Sequence, residues 1–356
     1  MECSIKLRRR CVRQRLLPEA DLEAHLTQRQ YGSDISAGEF DLIERFFQRP
    51  GSVDRYVALG IGDDCALLTA GPGEQWAVST DTLIEGVHFL SNVDAAALGH
   101  KSLAVNLSDL AACGATPRCF LLAIALPRVD ETWLANFSRG LHALADAHRC
   151  VLAGGDTTRS NHGVVITITA MGTVPSGCAL LRSGAHAGDD IWVSGQLGDA
   201  ALGLAFRRNE VKLQPLDAEQ VVERLERPTP RVQLGARLVG IASSAIDVSD
   251  GLAGDLRHVL SASGAGGIVN WNHVPCSLVL QQQPMHIQQR CALTGGDDYE
   301  LVFTAPTTRR ADVVAAAENT RVSRIGTVKA TADLAVLDES GTPVDTGHGA
   351  YDHFRR

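Results

Sequence analysis

The pattern of apolar and polar positions changes along the chain between the period of a strand and the period of a helix. Val164 to Thr169 alternates with a period of two, which is the clearest strand signal in the sequence. From Ala95 to Cys113, apolar residues recur at helical spacing, and Gly114 and Pro117 follow as stop signals. Because predicted strands and helices interleave, we predict an α/β fold made of α+β layers.

The other predicted elements have the following bounds. The strand that begins at Val164 extends to Val174, and the further strands are Ala77–Ser79, Val151–Ala153, Ile191–Ser194, Ala245–Val248, Leu301–Thr304 and Arg324–Val328. The further helices are Glu39–Phe47, Glu131–Ala147, Gly198–Arg208, Ala218–Arg224, Arg231–Val239, Leu252–Ser263 and Arg309–Ala317.

The length of 356 residues suggests two domains, and the 45% of hydrophobic residues are enough for a large core. We place the boundary at Pro175, where Pro-Ser-Gly follows a strand. The chain then divides into a basic extension at 1–37 that we expect to be disordered, an N-terminal domain at 38–174 and a C-terminal domain at 175–356. The longest apolar run, Phe120 to Leu126, is far shorter than the roughly 20 residues of a membrane span, so we predict no membrane partner.

The charge is distributed unevenly between the extension and the body. Residues 1–16 carry six basic side chains and one acidic one, which leaves 27 basic and 40 acidic residues, a net charge of −13, in the rest. An acidic body repels nucleic acid phosphates, so we expect no nucleic acid partner. The nine cysteines include no C-x-x-C pair, and we expect buried free thiols in a reducing cytoplasm.

Aspartates follow several predicted strands, usually beside glycines. The five segments are Gly60-Ile61-Gly62-Asp63-Asp64, Val78-Ser79-Thr80-Asp81, Leu152-Ala153-Gly154-Gly155-Asp156, Ile246-Asp247-Val248-Ser249-Asp250-Gly251 and Thr294-Gly295-Gly296-Asp297-Asp298. Asp109 adds a carboxylate near the end of the helix from Ala95, where the helix dipole disfavours an anion. A single Asp-Gly turn is usually only a turn, but five such segments indicate an oxygen-rich site on loops at strand ends.

Many carboxylates at one site repel each other unless cations neutralise them. Oxygen ligands select Mg²⁺, Mn²⁺ or Ca²⁺, and several Mg²⁺ ions with a nucleotide triphosphate would fit this set. The sequence has neither a Walker A motif nor the glycine-rich loop of protein kinases. Arg182 is our candidate for gripping phosphate, although a surface salt bridge is its ordinary structural explanation, and Ser249 or Asp250 could be only a helix cap.

Ten segments in one order resemble thiamine-monophosphate kinases of the aminoimidazole-ribonucleotide-synthetase superfamily, from Gly38 to Phe354. They are Gly-Glu-Phe at 38–40, Gly-Ile-Gly-Asp-Asp-Cys-Ala at 60–66, Ser-Thr-Asp-Thr-Leu at 79–83 with His88-Phe89, Ala-Val-Asn-Leu-Ser-Asp-Leu-Ala-Ala at 104–112, Gly-Gly-Asp-Thr-Thr at 154–158, Arg-Ser-Gly-Ala at 182–185, Arg-Pro-Thr-Pro-Arg at 227–231, Ile-Asp-Val-Ser-Asp-Gly-Leu at 246–252, Gly-Gly-Asp-Asp-Tyr-Glu-Leu at 295–301 and Tyr-Asp-His-Phe at 351–354.

The resemblance implies two α/β domains, a homodimer formed through the N-terminal domain, and transfer of the γ-phosphoryl of ATP, as co-substrate, to thiamine monophosphate. It implies metal-binding roles, for Mg²⁺, at Asp64, Ser79, Thr80, Asp81, Asp109, Asp156, Asp247 and Asp250. It implies nucleotide-binding roles for Gly155, Asp156, Arg182 and Ser249, and thiamine-phosphate-binding roles for His88, Asp297 and Tyr351. Among these, we expect Asp81, Asp109, Asp156 and Arg182 to be catalytic.

Two positions depart from the family pattern, both on the thiamine side. Asp297 stands where the family usually has Glu, and Ala350 precedes Tyr351 where we expect Gly. The family chemistry needs no general base, because the acceptor is a phosphate monoester that is mostly dianionic near neutral pH. We expect Asp297 and Tyr351 to face the cationic thiazolium. The competing hypotheses are another ATP-dependent enzyme of the same superfamily and a non-catalytic nucleotide or thiamine-phosphate sensor.

Overall fold

A computed structural model describes residues 57–59 and 63–346 of the chain. The predicted extension at 1–37, the predicted helix Glu39–Phe47 and the candidate residue Tyr351 lie outside the described residues.

The described strands and helices interleave along the chain, as the sequence pattern predicts. The strands are β1 Val57–Leu59, β2 Ala66–Thr69, β3 Glu74–Ile84, β4 Thr116–Leu126, β5 Val151–Arg159, β6 Val165–Pro175, β7 Asp190–Ser194, β8 Ser244–Asp247, β9 Gly266–Asn270, β10 Leu301–Ala305, β11 Val322–Lys329 and β12 Leu334–Leu337. The α-helices are α1 Ala95–Ala112, α2 Glu131–His148, α3 Asp199–Arg207, α4 Pro215–Glu226, α5 Val232–Leu238, α6 Leu252–Ala262, α7 Leu278–Gln281, α8 Met285–Gln289 and α9 Arg310–Ala317.

The strands form two six-stranded sheets, which confirms the predicted two-domain α/β class. The first sheet has the order β1-β2-β3-β6-β4-β5, and the second has the order β12-β9-β11-β7-β10-β8. Only the pairs β4–β5 and β12–β9 are parallel among the described strands. The chain leaves the first sheet at Pro175 and enters the second at Asp190.

Helix α1 lies between the two sheets and is buried on nearly all sides. It packs on β3 and β6 of the first sheet, on β8 and β10 of the second, and on α2 and α5. The Asp94 side chain caps its start by accepting a hydrogen bond from the Ala97 N–H at 2.8 Å. A helix that is buried around nearly its whole circumference belongs in a core, and α1 therefore joins the two domains.

Strands β7 and β10 of the second sheet are buried on both faces, and their alternate residues enter different cores. Trp192, Leu301 and Phe303 join the core around α1, whereas Val193 and Val302 join the core formed with α3 and α6. This explains why β7 and β10 are continuous apolar runs without polar alternation.

Two of the predicted aspartate turns are wrong, because their residues lie inside strands. Ser79-Thr80-Asp81 is in the middle of β3, and Gly154-Gly155-Asp156 is in β5. The apolar run from Phe120 to Leu126 belongs to β4, a strand that the pattern did not predict. The pattern also did not predict β1, β2, β9 and β12. The short apolar runs that predicted β3 and β5 end at polar or glycine residues, but pairing with β6 and β4 makes both strands longer than the runs.

Helices α1 and α2 approach so closely that their contact requires glycines. A Cβ built at Gly99 would overlap the carbonyl oxygen of Phe137, and one built at Gly140 would overlap the carbonyl oxygen of Ala96. The two backbones therefore touch, which fixes the position of α1 relative to the outer helix.

We predict that Gly140→Ala lowers the free energy of unfolding by about 1–3 kcal/mol, because the added methyl group forces the two backbones apart. Urea denaturation followed by circular dichroism measures the change. Gly71→Ala is the control, since a Cβ at Gly71 meets no heavy atom within 4 Å. Equal stability of the two variants would contradict the close packing described for α1 and α2.

Candidate active site

Three aspartates from different elements meet where α1, the first sheet and the second sheet come together. Asp64 precedes β2, Asp109 lies near the end of α1, and Asp247 ends β8. Carboxylate oxygens of the three lie within 4.8 Å of one another. A set of this kind, with oxygen ligands only, suits a divalent cation such as Mg²⁺.

Strand β3 adds two further groups from one of its faces. The Ser79 hydroxyl donates a hydrogen bond to Oδ2 of Asp109, and the Asp81 and Asp109 carboxyl groups are hydrogen-bonded to each other. A hydrogen bond between two carboxyl groups needs a shared proton. Burial first, and then the charges of Asp81, Asp247 and Asp64, hold the pKa of Asp109 well above its usual range.

Asp247 also retains a proton at neutral pH when no cation is bound. Burial, followed by the neighbouring charge of Asp64, raises the pKa of Asp247 to about 8. Burial, followed by the charge of Asp64, raises the pKa of Asp63 to about 6. The cluster is therefore short of positive charge.

Arg182 supplies one positive charge to this cluster. Its Nε donates to Oδ1 of Asp64 at 3.2 Å, and Nη2 bonds the same oxygen. Its backbone N–H donates to both carboxylate oxygens of Asp63, at 3.1 and 3.3 Å. The other oxygen of Asp64, Oδ2, is buried and has no hydrogen-bond partner. An unpaired buried carboxylate oxygen beside two further carboxylates fits a site that binds a cation.

The turn at Ser249 to Gly251, which precedes α6, borders the cluster and is hydrogen-bonded to the side chain of Asp255. The Asp255 carboxylate accepts hydrogen bonds from the N–H groups of Asp250 and Gly251, both at 3.1 Å. Burial, and then the charges of Asp250 and Asp247, raise the pKa of Asp255 well above its usual range. Ser249 and Asp250 therefore sit on a rigid turn beside Asp247.

A cleft between the domains opens beside this turn. About 560 Å³ of space, including space open to solvent, lies between its walls. The polar residues of its lining are His88, Lys101, Arg208, Glu226 and Asp297, and the others are apolar or glycine. The Asp297 N–H donates to the carbonyl of Ser249 at 2.9 Å, which connects the cleft directly to the turn near the carboxylates. The apolar lining residues include Phe89, Leu90, Val93, Leu98, Leu204 and Leu225.

Comparisons with known proteins agree with this arrangement. Residues 62–174 match the family model for the AIR synthase related protein N-terminal domain, and residues 186–339 match the model for the C-terminal domain. Thiamine-monophosphate kinase of Salmonella typhimurium is 45% identical over 324 residues, which are 90% of this chain and 99% of that relative.

The chain belongs to the thiamine-monophosphate kinase family.

Two solved structures of this family have the same fold. The crystal structure of thiamine-monophosphate kinase from Stenotrophomonas maltophilia K279a is 43% identical with a TM-score of 0.72, and the match covers 87% of this chain and 99% of that chain. AaThiL complexed with AMPPCP and TMP is 28% identical with a TM-score of 0.77, and the match covers 89% of this chain and 97% of that chain.

The structure brings together most of the residues that the sequence resemblance to thiamine-monophosphate kinases singled out. The residues at or beside the carboxylate cluster are Asp64, Ser79, Asp81, Asp109, Arg182, Asp247, Ser249 and Asp250. His88 and Asp297 both line the cleft. The Ile84 N–H donates to Nδ1 of His88 at 2.9 Å, so the neutral ring carries its proton on Nε2.

The side chains of Thr80 and Asp156 are not in the cluster of the same chain. Side chains alternate along β3, and the Thr80 hydroxyl pairs with Thr169 at 2.9 Å on the face opposite to Ser79 and Asp81. Asp156 is in register with Ala123, Thr167 and Thr82, which places it on that same outer face, at the edge of the sheet. Gly155 is in register with Asp81 but three strands away.

Sequence reasoning assigned no role of their own to four residues that shape this site. Asp63 and Asp255 hold Arg182 and the α6 turn, and Lys101 contacts Asp297. Glu300 is fully buried and accepts from Ser194 Oγ, Arg224 and Arg231, which anchors the loop that carries Asp297. Glu300 and Arg231 both lie in segments that resemble the family, at 295–301 and 227–231, but nothing in these segments indicates that the two residues pair.

We predict that the thermal stability of the cation-free protein falls as the pH rises from 5 to 9. Asp247 has a folded pKa of about 8 and an ordinary unfolded pKa of about 3.9, so between these values the folded state keeps a proton that the unfolded state has lost. Its stabilising contribution is complete at acidic pH and is lost as the pH passes through about 8.

Differential scanning fluorimetry in EDTA measures this dependence, and the Tm of Asp247→Asn should fall less steeply with pH than the Tm of the parent. Added Mg²⁺ should raise the parent Tm most at alkaline pH, where the carboxylates are ionised. Parallel pH profiles of parent and variant in EDTA would contradict the assignment.

Proposed function

We propose that the protein transfers the γ-phosphoryl group of ATP to thiamine monophosphate and forms thiamine diphosphate and ADP. The observation that carries this proposal is the continuity of two parts of one site. The carboxylate cluster suits metal-bound phosphates, and the Asp297–Ser249 hydrogen bond joins it to a cleft with apolar walls that suits an aromatic ring system. A homologous protein has been solved with an ATP analogue and TMP, and family membership supports the same substrates here.

Asp64, Asp81, Asp109 and Asp247 would hold Mg²⁺, as the clustered carboxylates and the unpaired oxygen of Asp64 support. Bound Mg²⁺ would neutralise the negative charge of the phosphates. The acceptor phosphate of thiamine monophosphate needs no general base, because it is already mostly dianionic near neutral pH.

Arg182, Ser249 and Asp250 form the side of the site where we place the nucleotide. The planar guanidinium of Arg182 can bind two phosphate oxygens at once when it leaves Asp64. A cation bound at Asp64 would favour this exchange, because it would take the place of the guanidinium as the positive charge beside that carboxylate. His88, with its proton on Nε2, and Asp297 would hold the thiamine end.

The test is turnover with ATP, Mg²⁺ and thiamine monophosphate, followed by chromatography of thiamine diphosphate. We predict that Asp109→Asn lowers kcat by roughly 10²–10³, because it removes a carboxylate from the centre of the cluster. The Tm of this variant in EDTA should stay close to that of the parent, since Asn replaces a carboxyl group that already keeps its proton when no cation is bound. Asp146→Asn, an exposed change on α2, is the control and should retain parent turnover.

The two competing hypotheses give different results in the same assay. A sensor would bind thiamine monophosphate without forming product, and another ATP-dependent enzyme of the superfamily would consume ATP only with a different acceptor. Either result for the parent protein would refute the proposed reaction.

A homodimer formed through the outer face of the N-terminal sheet is part of this proposal. That face carries Leu121, 40% exposed, and Val151, 64% exposed, beside the hydroxyls of Thr80 and Thr82. Exposed apolar side chains on one sheet face favour contact with another surface. Asp156 lies on the same face, so a second copy could receive Asp156 at its own nucleotide site.

We also propose that the protein is cytoplasmic. The seven cysteines in the described part of the chain form no disulfide, which agrees with a reducing compartment.

We predict that a heterodimer of Asp156→Ala and Asp109→Asn subunits recovers about half of the parent activity, because one of its two sites then has both aspartates. Two affinity tags isolate the heterodimer after co-expression. Each homodimeric variant serves as an inactive control. An inactive heterodimer would show that Asp156 does not act across subunits, and a monomer in light scattering would refute the dimer itself.

A further inference from the structure

Lys101 is a buried lysine that none of the roles above includes. It lies on α1 two helical turns before Asp109, and its side chain is only 5% exposed. Its Nζ lies 2.8 Å from Oδ1 of Asp297. This ion pair joins a helix of the N-terminal domain to a loop of the C-terminal domain at the wall of the cleft. A buried lysine is rare, because an ammonium group without a partner is strongly destabilised there.

Asp297 is held in one orientation by its surroundings. Its φ is 68° and that of Tyr299 is 51°, and a positive φ is uncommon for residues other than glycine. Their N–H groups donate to Ser249 at 2.9 Å and to Val248 at 2.8 Å, which holds the loop against the end of β8. The Tyr299 hydroxyl donates at 3.3 Å to Oδ1, the same oxygen that Lys101 binds. Both contacts use Oδ1, so Oδ2 is the oxygen that a ligand in the cleft can use.

The lining of the cleft offers no excess of negative charge. Lys101 neutralises Asp297, Arg207 pairs with Glu226, the other carboxylate of the lining, and Arg208 adds a further cation. A cationic ring would therefore meet two paired carboxylates and an additional positive charge. This arrangement favours a hydrogen bond over net charge as the way in which Asp297 recognises its ligand.

We propose that Lys101 is a positioning residue: it orients Asp297 and cancels its charge, so that Oδ2 accepts a hydrogen bond from the amino group of the aminopyrimidine ring of the substrate. This inference rests on the proposed function, since that ring belongs to thiamine monophosphate. A site built around such an acceptor also rejects ligands without the amino group, because the carboxylate oxygen would then lose its partner.

The first experiment compares Lys101→Met with Lys101→Arg, which keeps the charge. Lys101→Met should raise KM for thiamine monophosphate about tenfold to a hundredfold, while kcat and KM for ATP change less than about threefold. Lys101→Arg should lie closer to the parent. Lys212→Met, which removes an exposed lysine, should match the parent in all three constants. A fall in kcat or a rise in KM for ATP with unchanged KM for thiamine monophosphate would overturn the inference.

The second experiment tests whether Lys101 acts through Asp297. In an Asp297→Asn background, adding Lys101→Met should change KM for thiamine monophosphate less than about threefold, and independent effects of the two changes would overturn the inference. Oxythiamine monophosphate, which has a carbonyl in place of the amino group, should bind the parent at least about tenfold more weakly than thiamine monophosphate. Asp297→Asn should reduce that difference, and an undiminished difference would also overturn the inference.

Failure of this inference and failure of the proposed function give different results. A parent protein that does not phosphorylate thiamine monophosphate refutes the function, whereas an active parent with unaltered KM in Lys101→Met refutes only the role of Lys101. Circular dichroism shows whether Lys101→Met is folded. If it is not, the oxythiamine comparison between the parent and Asp297→Asn decides.

Discussion

Repulsion among buried carboxylates is the constraint that the site of this protein must satisfy. Oxygens of Asp64, Asp109 and Asp247 lie within 4.8 Å of one another, and Asp81 is hydrogen-bonded to Asp109. Buried carboxylates this close together cannot all be ionised without a large cost in free energy. The protein relieves the repulsion partly with the Arg182 guanidinium and the Ser79 hydroxyl, and partly by keeping protons. The remaining deficit of positive charge is what suits the cluster to a cation, so the same feature that lowers stability would provide the proposed chemistry.

Helix α1 sets the geometry of this arrangement. Its first half borders the cleft through Leu98 and Lys101, and its last turn places Asp109 in the cluster. At a rise of about 1.5 Å per residue, the helix separates the two parts by about 12 Å. Because α1 packs against both sheets and meets α2 through glycines, that separation is held by the core of the molecule.

The loop from Gly295 to Tyr299 depends on a buried ionic network for its position. Glu300 follows the loop directly and accepts hydrogen bonds from Arg224 on α4 and Arg231 before α5. Removing one member of such a network leaves an unpaired buried charge, typically at a cost of about 3–5 kcal/mol. Asp297 can adopt a positive φ because Glu300 on one side and Ser249 on the other determine the path of the backbone.

The sequence by itself determined the α/β class, the bounds of α1 to within one residue, and the family, because these depend on local periodicity and on strings of neighbouring residues. It also identified most of the aspartates that meet in the cluster. Tertiary structure alone decided which of them meet. Ser79, Thr80 and Asp81 are neighbours in the chain, yet the alternation of β3 sends Thr80 to the opposite face. Asp156 follows the same kind of motif, but strand order places it at a distant sheet edge. Lys101 and Asp297 are far apart in the sequence, and no spacing predicts their pairing, because it arises only when the two domains pack around α1.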